Sequence, residues 1–460
     1  MREFLTIERI DPSKRLVVER LKDFNEIYEQ MGQNDASAQS DRCIQCGDPF
    51  CLNKCPLHNY IPQWLKSVAE KDLKFAFKLS NEPSPFPEVM GRVCPHDRLC
   101  EGDCTLNDGH GAITIGGVET FINEEGFRQG LKPYFPGITT DKKVAIIGSG
   151  PAGLSCATYL LRSGIAVTMY ERSDRAGGLL TYGIPNFKLD KKIVERRVEF
   201  LKEAGLNLVL ECEVGKDIEF SEIADKHDAV FVGIGATKGK SAKIAGENAS
   251  NVYVAMDYLT AIQRKNFGLS YDKKYDFKDL DVVVIGGGDT AMDCVRTARR
   301  EGAKNVTCLY RRDAHNMPGS VKEYKNAIEE GVEFVFHASP KEVILGDNGK
   351  AVGIHMAKTV LGAKDESGRQ KMEEVKGGDF KVNADVIIMA LGFDPVVPPF
   401  LAENGINVNS WGGIVVNDKF ETTTPGIYAG GDCQRGADLV VTAAYDGREA
   451  ARAIAKSLLG

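Results

Sequence analysis

Val144-Ala145-Ile146-Ile147-Gly148-Ser149-Gly150-Pro151-Ala152-Gly153 decides how the chain folds. An apolar strand runs straight into G-x-G-x-x-G. A second apolar strand, Val167-Thr168-Met169-Tyr170, ends on Glu171, eighteen positions after Gly153. Gly148 allows a sharp turn after the strand, Gly150 lets backbone approach a pyrophosphate, and Gly153 lets helix pack closely on sheet. The helix that follows presents unpaired N–H groups and a positive dipole end to the phosphates. Glu171 stands where a carboxylate hydrogen-bonds ribose hydroxyls. Strand, loop, helix and acid together read as a dinucleotide site.

The pattern returns 138 residues later, from Gly148 to Gly286. Asp281-Val282-Val283-Val284-Ile285 leads into Gly286-Gly287-Gly288-Asp289-Thr290-Ala291, with Ala291 in place of the third glycine. The second strand of this copy, Val306 to Tyr310, ends on Arg311-Arg312 rather than on an acid. A carboxylate there would repel a 2′-phosphate, whereas guanidinium groups bind one through bidentate, charge-assisted hydrogen bonds. The second site is therefore expected to prefer NADP(H).

Each fold has an apolar exit strand, Ala229 to Ala236 and Ala384 to Ala390 followed by Gly392. Further on, Gly426-Ile427-Tyr428-Ala429-Gly430-Gly431-Asp432 is a strand ending in glycines and an acid, and Leu439 to Leu459 has helical spacing. This tail is expected to return to the first fold, so that the second is an insertion within it. The expected class is α/β, a helical N-terminal domain, read below as iron–sulfur from its cysteines, followed by two Rossmann-like domains. The boundaries fall at 1–140 for the helical domain, 141–255 with 385–460 for the first nucleotide domain, and 256–384 for the second.

The 460 residues suffice for about three domains. A net charge of −7 without a long basic block argues against nucleic acid or an anionic membrane as the main partner. No apolar run reaches the ~18 residues of a membrane span and residues 1–14 lack an apolar core, so a cytoplasmic protein is expected. In that compartment thiols stay reduced, so the spacing of the twelve cysteines is read for metal-binding or redox patterns rather than disulfides.

Seven of them lie in the first 135 residues, among helical patterns at 14–30 (Val17, Val18, Leu21, Phe24, Ile27, Tyr28) and 61–68 (Ile61, Trp64, Leu65, Val68). Cys43, Cys46, Cys51 and Cys55 have the spacing C-x2-C-x4-C-x3-C-P, close to the ferredoxin run in which the fourth cysteine crosses to a second cluster. Cys94, Cys100 and Cys104 follow. Two clusters are the natural count, with structural zinc as the alternative. Seven thiolates leave eight iron corners one short, open to a carboxylate, to His58, His96 or His110, or to no ligand at all.

These motifs resemble those of the small subunits of bacterial NADPH-dependent glutamate synthases. The resemblance is carried by Asp41 to Pro56, Gly91 to Asn107, Gly286 to Cys294, Tyr310-Arg311-Arg312-Asp313, Asn316 to Ser320 and Gly430-Gly431-Asp432. The same module is found at the N-terminus of dihydropyrimidine dehydrogenase and in a subunit of NADH-dependent ferredoxin:NADP oxidoreductases. The resemblance implies FAD in the first site, NADPH in the second and two 4Fe–4S clusters, one on Cys43, Cys46, Cys51 and Cys104, the other on Cys55, Cys94, Cys100 and Glu119. It also implies FAD contacts at Glu171, Leu179, Lys188, Val214, Asp432 and Thr442, and NADPH contacts at Gly287, Gly288, Asp289, Thr290, Arg311, Arg312 and Gly392.

Hydride transfer between nicotinamide and flavin needs no protein acid or base, so no catalytic side chain is expected. Cys156, Cys212, Cys294, Cys308 and Cys433 stand alone in sequence, without the paired thiol of a disulfide reductase, and are expected to be buried fillers. Nothing in the sequence suggests a glutamine-hydrolysing nucleophile. The chain is expected to feed electrons to a separate large subunit that makes glutamate. The alternatives are an electron-input subunit of another NADPH/ferredoxin-linked flavin oxidoreductase and, from another class, a zinc-bound, redox-sensing interaction module.

Overall fold

The computed structural model describes residues 3–364 and 370–460. Residues 1–2 of the expected helical domain and 365–369 of the expected second nucleotide domain lie outside these. The first part of the chain is helical, with α1 (Gln33–Asp41), α2 (Ile61–Ala69), α3 (Pro87–Val93) and α4 (Ile115–Arg128); Cys43, Cys46, Cys51 and Cys55 lie between α1 and α2, and Cys94, Cys100 and Cys104 between α3 and α4. Ile61, Trp64, Leu65 and Val68 on one face of α2 are buried with Ala36, Val118, Phe121 and Ile122, as their spacing predicts.

The helix expected over 14–30 does not form. Only Val17–Arg20 is helical, and Val18 is 67% exposed. The segment is a strap whose ends pair, Arg15 N to Ile27 O (2.9 Å) and Glu29 N to Ser13 O (2.9 Å). Turn chemistry overrides the apolar period: the Asp23 carboxylate accepts from Asn25 N (2.9 Å) and holds Arg15 through both guanidinium arms. Arg20 is buried and paired with Glu329 and Glu330 of the second nucleotide domain.

The chain then builds β1 (Lys143–Ile147), α5 (Pro151–Arg162), β2 (Ala166–Tyr170), α6 (Lys191–Glu203), β3 (Asn207–Val209) and β4 (Ala229–Val232). It leaves through β5 (Val252–Val254), β6 (Asp281–Ile285), α7 (Asp289–Arg300), β7 (Asn305–Tyr310), α8 (Val321–Glu329) and β8 (Glu333–Phe336). A four-stranded antiparallel sheet over 338–383 intervenes before β9 (Val386–Met389), and the chain returns as β10 (Ile427–Ala429) and α9 (Val440–Leu459).

Two five-stranded parallel sheets result, with orders β10-β4-β1-β2-β3 and β5-β9-β6-β7-β8. Residues 144–147 and 282–285 are buried, as strands covered on both faces must be. The pairing of β10 with β4 places the tail in the first sheet, so the second fold is an insertion. The expected cuts at 255/256 and 384/385 do not follow the sheets. Val252–Val254 hydrogen-bonds to Ile387–Met389, so both strands belong to the second sheet, and the crossings lie between β4 and β5 and after β9.

The helical module is anchored on the first fold. Phe86, Val89 and Met90 share its hydrophobic core. Glu88 of α3 and Arg197 of α6 form a bidentate pair with both side chains buried (2.7 and 2.5 Å). Removing either partner alone would strand a buried charge, which makes the pair a strong determinant of how the two parts sit.

Candidate active site

Both glycine loops open onto one cleft of about 1950 Å³, far above the size of a pocket for a single small ligand. From the first fold it is lined by Gly148, Gly150, Glu171, Leu179, Lys188, Val214 and Asp432. The second fold contributes Gly286, Gly287, Gly288, Asp289, Thr290, Arg311 and Gly392. The volume and the two facing helix N-termini suit two dinucleotides meeting end to end.

The loop geometry explains its residues. A Cβ at Gly153 would lie 2.0 Å from the Gly148 carbonyl oxygen, so only glycine lets α5 start this close to β1. Gly153 itself does not line the cleft; its role is the packing. A Cβ on Gly150 or Gly288 would meet nothing within 4 Å, which leaves backbone open to an approaching phosphate at both loops. The Glu171 carboxylate accepts from Ser149 N (3.0 Å), Ser149 Oγ (2.5 Å) and Ser173 N (2.8 Å). It ties the loop to the end of β2 while facing the cleft. Lys188 is largely buried, with its ammonium 2.9 Å from Asp293. Burial pushes the Asp432 carboxyl up to about 7.

Two expected contacts sit elsewhere. Thr442 does not line the cleft: its hydroxyl donates to Leu439 O (2.8 Å) and accepts from Leu439 N (3.1 Å), capping α9. Leu439, Val440, Val441 and Ala443 line the cleft in its stead. The arginine pair is split. Arg311 is exposed in the cleft, while Arg312 is half-buried outside it, with Nη2 3.4 Å from Gln370 O. Adjacent residues at a strand end point to opposite faces, so only one of the two can face the loop. Cys156, Cys294, Cys308 and Cys433 are buried, as expected of fillers, but Cys212 is half-buried and lines the cleft.

The seven N-terminal cysteines form two neighbourhoods. Burial pushes the Cys51 thiol up to about 12 and Cys43 to about 11; the charges of Cys43, Cys104 and Cys46 add to the rise at Cys51, and those of Cys104 and Cys46 to the rise at Cys43. Burial likewise raises Cys94 and Cys100 well above the usual thiol range; Cys55 and Glu119 are charged neighbours of both, and Glu101 acts more strongly on Cys100 than either. Cys51 and Cys55 lie one helical turn apart, so the two neighbourhoods are adjacent. Glu119 is buried, its carboxyl raised to about 8 by burial, and it accepts from Asn59 Nδ2 (2.6 Å).

Buried thiols that oppose one another's ionisation need cations to become thiolates, which is what a cluster supplies. Among the described residues no three His, Cys, Asp or Glu side chains converge tightly enough for one ion. Of the three histidines, His58 and His110 are exposed, and the charged neighbours of buried His96 are Glu101, Lys322, Asp97 and Arg9 rather than cysteines.

Sequence reasoning missed where the two parts meet. Val93, Cys94, Pro95 and Arg98 line the nucleotide cleft beside Gly148–Ala152. Only the burial of α3 in the core of the first fold places them there, and no motif announces it.

Known proteins place this arrangement. Residues 20–131 match the family described as dihydropyrimidine dehydrogenase domain II, 4Fe-4S cluster, and residues 142–447 match pyridine nucleotide-disulphide oxidoreductase. The glutamate synthase (NADPH) small chain of Escherichia coli K12 is 46% identical, covering 98% of each chain. This chain belongs to the glutamate synthase small-chain family. The putative oxidoreductase AegA of the same organism is also 46% identical, over 98% of this chain and 70% of that one. Mycobacterium tuberculosis FprA in complex with NADPH is similar in fold, with a TM-score of 0.60 over 69% of this chain and 85% of that one, at 19% identity. The expected family, fold class and enzyme type therefore hold: a small-chain-type NADPH-dependent flavin oxidoreductase with an iron–sulfur module. No helix among the described residues is long and apolar enough to cross a membrane.

Proposed function

We propose that the chain takes electrons from NADPH and passes them through FAD and two 4Fe–4S clusters to a large subunit that makes L-glutamate from L-glutamine and 2-oxoglutarate. One observation carries the reading: both dinucleotide loops and the cluster-ligand segment at Cys94 share a single cleft. When bound, the flavin accepts a hydride from the nicotinamide and releases the two electrons singly, which one-electron clusters require. The protein contributes binding and orientation. Gly148, Gly150 and the N-terminus of α5 hold the FAD pyrophosphate, with Gly153 setting the packing that forms the loop. Glu171 serves the ribose. Gly286–Thr290 holds the NADPH pyrophosphate and Arg311 its 2′-phosphate.

Cys43, Cys46, Cys51 and Cys104 are assigned to one cluster, and Cys55, Cys94, Cys100 and Glu119 to the other, which lies nearer the cleft. The neighbourhoods around Cys51 and Cys94 support this division. Clusters and free thiols need a reducing compartment, and we assign the chain to the cytoplasm.

The isolated holoprotein is expected to contain one FAD and about eight irons. It should oxidise NADPH with an artificial acceptor and form glutamate only with the large chain added. Glutamate formed without that chain would refute the subunit assignment. Glu119→Ala is expected to lose iron from the inner cluster and Glu119→Cys to retain it, measured by iron content and low-temperature EPR of the reduced protein. A wild-type iron count and signal in the Ala variant would remove Glu119 from the ligands.

A further inference from the structure

The loop between Cys94 and Cys100 does more than hold ligands. It reaches across the cleft to the second nucleotide fold and meets it at three points. The Asp97 carboxylate accepts from Ser320 Oγ (3.3 Å) and from Val321 N (3.2 Å), the first residue of α8. It thus caps that helix from another domain. Arg98 Nη2 lies 3.6 Å from Asp289 Oδ2 at the start of α7. The other oxygen of Asp289 accepts from Ser320 N (3.0 Å), and Gly319 N donates to Gly287 O (2.9 Å). The glycine loop of the second fold, the segment before α8 and the cluster loop are therefore joined through Asp289 and Ser320.

The cluster loop is tightly built. Glu101 N and Gly102 N both donate to His96 O (2.9 and 3.0 Å), and a Cβ on Gly102 would lie 2.2 Å from Asp97 O. Asp97 and Arg98 thus sit inside a backbone-closed turn between Cys94 and Cys100.

Arg98 also lines the cleft. Its ion pair with Asp289 is long, and both side chains are at least a third exposed, so the pair is weak in water. A pyrophosphate at the second glycine loop would be a better acceptor for a guanidinium fork, and the carboxylate would give way to it.

We propose that the cluster loop is part of the NADP(H) site: Arg98 binds the dinucleotide held at Gly286–Thr290, and Asp97 is the positioning residue that fixes this loop on α8. Dinucleotide binding and the environment of the inner cluster are then linked, and each responds to the other. The inference rests on the reading of the second fold as the NADPH site.

The test uses the holoprotein, with FAD and iron content equal to wild type as the condition for comparison. NADP⁺ is titrated into wild type, Arg98→Gln and Asp97→Asn by calorimetry. Low-temperature EPR spectra of dithionite-reduced protein are recorded with and without NADP⁺. Arg98→Gln is expected to weaken NADP⁺ binding about tenfold or more. NADP⁺ should perturb the cluster signal of wild type and leave it unmoved in both variants. Equal affinity for NADP⁺ in Arg98→Gln and wild type would overturn the binding role. A cluster signal blind to NADP⁺ in wild type, or equally perturbed in all three proteins, would overturn the linkage. Failure of wild type to bind NADP⁺ at all would instead overturn the NADPH reading on which the inference rests.

Discussion

The two nucleotide folds have the same strand order around the loop strand, yet they are completed differently and read different ligands. The first takes its edge strand, β10, from beyond the insertion; the second takes β5 from just before its own loop strand. At the end of the second strand the first fold has Glu171, buried and engaged by three hydrogen bonds, and the second has Arg311, exposed in the cleft. At the third glycine position the first fold tolerates no Cβ, whereas the second carries Ala291, fully buried. Strand order around the loop strand is shared, and the folds differ in the side chain at the second strand end and in the room at the third glycine position.

This contrast can be broken most severely at the tighter loop. Gly153→Ala drives a methyl against a backbone carbonyl that cannot rotate away, and overpacking of this kind costs about 1–3 kcal/mol or more. The variant is expected to purify with reduced FAD and a lower melting temperature, read by flavin absorbance and thermal unfolding. Wild-type FAD content and stability would mean that α5 does not sit this close to β1. The next effect is at Arg311. Losing one charge-assisted contact of about 1.5–3 kcal/mol should raise KM for NADPH tenfold or more in Arg311→Ala, with NADH little changed. Arg312→Ala should do much less, because Arg312 does not face the cleft. Equal losses for the two coenzymes would show that the strand end supports the fold and not the 2′-phosphate. The smallest effect is expected from Ala291→Gly, which restores the third glycine where none is needed. It should cost about 1 kcal/mol of stability through helix propensity and leave coenzyme affinity unchanged, by chemical denaturation and steady-state kinetics.

Much of this architecture was legible because it rests on short-range chemistry. A buried parallel strand requires a continuous apolar run, a phosphate loop requires glycine, and cluster ligands require cysteines at fixed intervals. The cysteine spacing also exposed the missing eighth ligand, although only resemblance pointed to Glu119. What stayed hidden depends on contacts between distant residues. The apolar period at 14–30 predicts a helix, but Asp23 makes a turn and Arg20 is drawn into the acidic groups of α8 and Glu330. The strand ends Val252–Val254 and Val386–Met389 pair across more than 130 residues, and nothing local marks them as one sheet. Thr442 is taken by a helix cap, a role open to any threonine near an N-terminus. The approach of Cys94 and Arg98 to the nucleotide cleft follows from the burial of α3 and the Glu88–Arg197 pair, which no motif spells out.

On the proposed route electrons enter at the cleft and leave through the cluster neighbourhood around Cys94. The most direct test is Cys94→Ala holoprotein with wild-type FAD content, assayed for NADPH oxidation with a small dye and for NADPH-dependent glutamate formation with the large chain. Dye reduction is expected to persist while glutamate formation is lost. Glutamate formation at the wild-type rate by this variant would contradict that route.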